Sequence, residues 1–146
     1  MDQTAGSGAR EAIRRLQQRF PGAETFTFGD TRALCDELIG LVRSGRKRAT
    51  CGALRDFHTD GEALPVVGRC DIALDWDGFP ALVIETTEVE IRRFCDVEEG
   101  FALAEGENDS LEGWQHGHRA YFERNGGFDA RMDLVCERFR VVEDLG

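Results

Sequence analysis

The sequence predicts an α+β fold in which a mostly antiparallel sheet curls into a small β-barrel with flanking helices. Helical spacing recurs in two segments before residue 45 and in two more between residues 97 and 123. Between them, alternating and β-branched runs carry hairpin-type turn residues, which favours antiparallel neighbours. The 146 residues, 41% hydrophobic and 32% charged, suit one soluble domain with its own core. Neither an internal repeat nor a low-complexity segment divides residues 1–146.

Met1 to Gly8 is small and polar and reads as a loose lead-in. In the first helix, Ala9, Ile13, Leu16 and Phe20 share one face, and Pro21-Gly22 stops it. Glu24 to Phe28 alternates as a short strand. Asp30 or Thr31 is a suitable N-cap for a second helix with the stripe Ala33, Leu34, Leu38, Leu41 and Val42, ended by Ser44-Gly45. Arg48 to Ala53 leaves as a strand or extended loop, Thr59 to Gly61 is a polar turn, and Pro65 leads toward a strand at Cys70 to Trp76. Asp77-Gly78 is a hairpin signal, and Ala81 to Ile91 is a long β-branched strand. Helices follow at Val97 to Ala104 and at Ser110 to Glu123, the second carrying Leu111, Trp114, His118 and Phe122 on one stripe. Asn125-Gly126-Gly127 breaks it, and Met132 to Val142 closes the chain as a strand.

A net charge of −10 argues against a general duplex-DNA binder, which needs a broad basic face. Charge is uneven: Arg43, Arg46, Lys47 and Arg48 cluster, while acid concentrates from Asp96 to Glu112. That basic strip fits a small polar or anionic ligand or a short single-stranded segment; it equally fits a helix C-terminus whose cations complement the macrodipole. No apolar run approaches the roughly 18 residues of a membrane span, and the first residues lack the apolar stretch of a secretion signal. The five cysteines are odd in number and widely spaced, without Cys-x-x-Cys. They predict neither a disulfide framework nor a zinc site, but buried thiols in a cytoplasmic protein without metal or cofactor.

Lys47 is the only lysine among eighteen basic side chains, in Gly45-Arg46-Lys47-Arg48-Ala49-Thr50. Arginine stays protonated, whereas a lysine with a lowered pKa acts as a base or nucleophile, and the flanking Arg46 and Arg48 would push it that way. Thr50 supplies a hydroxyl three residues on. In an extended chain the two point to opposite faces, so the backbone before Thr50 must turn for them to meet. A surface lysine in a basic turn is the bland reading. Other chemistry-bearing residues read more plainly. His116 and His118 lie on different sides of a helix and do not share a metal, and His118 reads as a core or rim histidine. Glu85, Glu88 and Glu90 are strand glutamates, Trp76 sits at a hairpin tip, and Cys51 has no nearby histidine.

Four features together resemble the ASCH domain family, whose small barrel is related to the PUA RNA-binding fold. They are Gly45-Arg46-Lys47-Arg48-Ala49-Thr50, the Glu62-to-Gly68 turn, the strand Ile84-Glu85-Thr86-Thr87-Glu88-Val89, and Ala104-Glu105-Gly106-Glu107 followed by Trp114 and His118. The resemblance runs from about Phe28 to Val142, and the order of these elements is more specific than the short Gly-x-Lys-x-x-Thr alone. It implies a pocket for a base or nucleoside and RNA-related work. Some relatives are amidohydrolases that deacetylate N4-acetylcytidine; on that pattern the catalytic residues are Lys47 as activator, Thr50 as nucleophile and Glu107 as acid. Arg46, Arg48, Arg55, Trp114 and His118 are the candidate substrate-binding residues. The alternatives are a non-catalytic RNA or nucleotide-binding module and a metal-assisted ribonuclease. Gly52 departs from the arginine many relatives place there, which leaves Arg55 or Arg48 to anchor the substrate. A nucleoside or short RNA, not duplex DNA or a membrane, is the expected partner. Amide hydrolysis needs a nucleophile, its base, an acid and oxyanion donors. Glu107 or Glu105 supplies the acid if burial raises its pKa.

Overall fold

A computed structural model describes residues 3–60 and 64–146. Helix α1 spans Gln3–Arg19. The lead-in is therefore helical from Gln3, where no proline interrupts propagation of the turn from the amphipathic segment that follows. Met1 and Asp2 lie outside the described residues. Strand β1 is Thr25–Thr27. Helix α2, Arg32–Arg43, starts at Thr31, whose hydroxyl accepts the Leu34 N–H at 3.1 Å. It buries Cys35, Leu38, Ile39 and Val42, a stripe rotated from the expected one because Cys35 behaves as a small apolar residue while Ala33 faces water.

Strand β2 is Ala49–Ala53 and runs directly into a short helix α3, Leu54–Asp60. The turn expected from Thr59 begins inside that helix, and its Gly61 lies outside the described residues, as do Glu62 and Ala63 of the expected turn motif. Strand β3, Cys70–Leu74, joins β4, Pro80–Arg93, through a tight turn. There the Asp75 carboxylate accepts the Asp77 and Phe79 amides, and Gly78 takes a φ of 90°. After a 3-10 turn at Phe94–Asp96 come α4, Glu99–Ala104, and α5, Leu111–Arg124. Helix α5 is capped by Ser110, which accepts the Gly113 amide at 3.0 Å. Strand β5, Asp133–Asp144, closes the chain.

The fold is α+β. The five strands form one mixed sheet in the order β1-β3-β4-β5-β2. Only β1 with β3 is parallel, and the long β4–β5 ladder forms the middle. The first half of β4 is buried on both faces. Leu82 and Ile84 pack with Phe28, Leu38, Val42 and Phe139 beneath α2, while Val83 packs with Ile72 and Leu16 beneath α1. A third cluster seats α5 through Trp114 and Phe122 against Ala49, Ala53, Leu134 and Cys136. Strands β1 and β2 are opposite ends of the sheet, yet both border one cavity. The sheet therefore curls until its two edges face each other.

Candidate functional site

The cavity has a volume of about 480 Å³ and opens between β1 and β2. One wall is built by the loop before β2 and the turn after α4. Gly45, at a φ of 82°, ends α2 and reverses the chain so that Lys47 points inward. Gly106, at a φ of 77°, lets the Glu105-Gly106-Glu107 turn lie against the backbone of Arg46 and Lys47; an added Cβ would stand 2.5 Å from the Arg46 carbonyl oxygen. Only glycine tolerates both that φ and that approach.

Lys47 is 1% exposed. Its ammonium donates to the Ala49 carbonyl at 2.8 Å, to the Glu105 carbonyl and Oε1 at 3.3 Å, and to Glu107 Oε2 at 3.1 Å. Burial opposes the charge, but Glu105 and Glu107 outweigh it and raise the Lys47 pKa above its ordinary value. The expectation that Arg46 and Arg48 lower it is corrected by geometry. Arg46 turns outward to Asp109 at 3.2 Å, and Arg48 is exposed.

Glu105 is the hub. Its Oε2 accepts from the Trp114 indole, from Cys51 Sγ at 3.5 Å, and faces His118 Nε2 at 3.2 Å. The other ring nitrogen of His118, Nδ1, is 2.9 Å from the Trp114 carbonyl oxygen. A nitrogen facing a carbonyl must donate, and one facing a carboxylate does the same, so the imidazole is a cation. Burial opposes that charge, yet the bond to Glu105 and its field raise the His118 pKa. Burial would raise Glu105 in turn, but Lys47 and His118 hold it down at about 2. Glu105 therefore has no proton to give as an acid.

The structure brings Lys47, Thr50, Glu107 and His118 to the same cavity, as it does Glu105. Arg46, Arg48, Arg55 and Trp114 are not in its wall. Arg55 instead donates to the Gly127 carbonyl at 2.6 Å, and Phe57 lies over Gly52, whose added Cβ would meet its ring at 3.5 Å. Trp114 is completely buried, stacked on His118 at 4.3 Å, so it positions Glu105 and offers no face to a ligand. Thr50 and Lys47 share no hydrogen bond, since the ammonium is taken up by carbonyls and carboxylates. Phe26, Phe28 and Tyr121 add aromatic lining, and Glu137 lines the side under β5. The sequence signal for these was weak, because lining residues drawn from β1, the loop after it, α5 and β5 share no local spacing.

Among the described residues, Cys51, Glu105 and His118 bring ligand-type atoms within 4.8 Å of one another. A cation there would meet Lys47 beside Glu105. Burial and the field of Glu105 also push the Cys51 thiol well above its ordinary pKa, which disfavours both a thiolate ligand and a thiolate nucleophile.

The family model of the ASCH domain matches residues 24–143. The chain belongs to the ASCH domain family. Solved structures agree with this ASCH domain. One, an ASCH domain from Lactobacillus crispatus JV V101, is 30% identical, with 97% of this chain and 96% of that chain covered and a TM-score of 0.77. Another, a protein from Enterococcus faecalis V583, is 33% identical over 93% of this chain and 88% of that one, with a TM-score of 0.81. No curated protein matches the chain closely enough to count as a relative. No helix among the described residues is long and apolar enough to cross a membrane.

Proposed function

We propose that this ASCH domain binds an RNA-derived nucleoside in the cavity and hydrolyses an exocyclic amide of the N4-acetylcytidine kind. The observation that carries the reading is the charge-balanced wall. Lys47 and His118 are cations, Glu105 and Glu107 supply two carboxylates, and the cluster shares with Thr50 a cavity lined by aromatic rings. A neutral, hydrogen-bonding wall with aromatic neighbours suits a neutral base more than a chain of phosphates, and the volume lies in the small-ligand range.

In this reading the Thr50 oxygen attacks the acetyl carbon and its proton passes to Glu107. Lys47 acts through its fixed charge, stabilising the oxyanion. Collapse breaks the C–N bond as Glu107 returns the proton to the departing amine, and water then cleaves the acetyl-threonine ester to acetate. The test is acetate release from N4-acetylcytidine, with binding measured separately. Thr50→Val and Glu107→Gln should each lower turnover by about 10²-fold or more while leaving affinity within a few-fold.

A binding module without catalysis is the second reading. It is favoured by the complete internal pairing of Lys47 and Glu105. It predicts nucleoside binding by the wild type with no acetate released.

A further inference from the structure

Glu137 is one of the carboxyls in this cavity that the Lys47 cluster does not use, with Glu24, Glu37 and Asp71. It lies on β5, on the sheet face opposite the one that packs α5, directly across the ladder from Thr50. Antiparallel partners stand side by side on one face, about 4.5–5.5 Å apart at Cβ. One of its oxygens, Oε2, accepts the hydroxyl of the fully buried Thr86, which fixes the side chain. The other takes no hydrogen bond among the described residues. Among the described residues no completely buried side-chain oxygen or nitrogen lacks a partner, so this Oε1 is accessible, on a residue that lines the cavity. The nearby cation, Arg69, is already committed to Asp71 through two bonds of 3.0–3.1 Å. Burial raises the Glu137 pKa and Asp71 adds to it, against the Thr86 bond and Arg69. Such a carboxyl is short of donors. A partly buried acceptor at a cavity wall is matched by an N–H on whatever fills the cavity.

We infer that Glu137 is the specificity residue of this cavity, accepting the exocyclic N–H of an aminopyrimidine base through its free Oε1. The inference rests on the nucleoside reading and deepens it. A base held by its exocyclic nitrogen at Glu137 carries that nitrogen's acyl substituent beside Thr50, the cross-strand neighbour. Recognition and the reacting amide are then on the same edge. The acceptor is present whether Glu137 is ionised or protonated, since either form keeps an oxygen lone pair for the ligand.

The experiment titrates the full chain with cytidine, N4-acetylcytidine and N4,N4-dimethylcytidine, which carry two, one and no exocyclic N–H groups. Wild type should bind the first two about 10- to 100-fold more tightly than the third, the range for a hydrogen bond to a buried acceptor. In Glu137→Leu that preference should collapse to within about threefold, and in Glu137→Gln, which retains an acceptor oxygen, a reduced preference should survive. Circular dichroism checks that each variant folds; should Glu137→Leu not fold, a Glu137→Gln preference as large as wild type overturns the proposal and a smaller one supports it. A preference that persists unchanged in a folded Glu137→Leu assigns recognition elsewhere while leaving the nucleoside reading intact. Equal wild-type affinity for all three overturns the N–H readout alone. Binding of none of the three overturns the nucleoside reading and this inference with it.

Discussion

Glu105 sits between Lys47 and His118, and removing its charge would leave His118 without its carboxylate and Lys47 with Glu107 alone. Breaking a buried pair by deleting one partner costs about 3–5 kcal/mol. Glu105→Gln should therefore be destabilised by roughly that amount in urea unfolding, and a loss under about 1 kcal/mol would mean that the cluster is well hydrated. The pH dependence has a definite sign. Glu105 is held near 2 against an ordinary 4.5, so its contribution is complete above 4.5 and lost as pH falls toward about 2. His118 is raised above 6.5, so its contribution is complete below 6.5 and lost as pH rises through the raised value. The stability gap between wild type and His118→Gln should be widest between those ordinary values and shrink above them. Thermal melts at about pH 5.5 and about pH 9 read it, and a gap that does not change would mean a neutral imidazole. Lys47→Arg is not a neutral swap at this position. The side chain is enclosed on all sides, and a guanidinium overpacks the space at a cost of about 1–3 kcal/mol.

At the scale of elements, the turn after α4 holds the site together, and two glycine substitutions separate its role from helix propensity. Gly106→Ala adds a Cβ 2.5 Å from the Arg46 carbonyl oxygen and 2.7 Å from the Lys47 amide nitrogen, at a φ of 77°. Backbone strain of this kind costs about 2 kcal/mol or more, and it should also open the Lys47 cluster. Gly100→Ala, inside α4 with nothing within 4 Å of the added atom, should instead be neutral or stabilising by up to about 1 kcal/mol. Denaturation midpoints of the pair check both. The capped helices were legible, because Thr31 and Ser110 precede their apolar stripes and both side chains do cap. The long strand was legible from its β-branched run, although pairing with β5 carries it on to Arg93. Helix α3 was not, since the seven residues Leu54–Asp60 make only about two turns, too few to show a period. The convergence of Lys47 with Glu107 across sixty positions was legible only through family resemblance. The Glu105 hub was hidden for a further reason: a Glu-Gly-Glu turn reads as solvated until Trp114 and His118 on another helix close over it.

For the whole molecule, charge decides which nucleic-acid form would suit the proposed site. The net charge of −10 repels a polyanion at long range. The arginines around the sheet do not form a free basic track either, because Arg43, Arg138 and Arg140 pair with Asp144, Glu88 and Glu85. Of the basic strip that ends α2, Lys47 is internal and Arg46 faces Asp109. Counterion release scales with the number of phosphates neutralised, so a ligand entering the cavity by its base displaces about one counterion or none. A short single-stranded RNA ending in the recognised nucleoside should bind with a log K against log salt slope between zero and about −1, and the free nucleoside with a slope near zero. Fluorescence anisotropy across a salt series measures both. Tight RNA binding with a slope steeper than about −4 would require an extended phosphate-binding groove, and recognition would then lie on the outer surface of the sheet instead of in the cavity between β1 and β2.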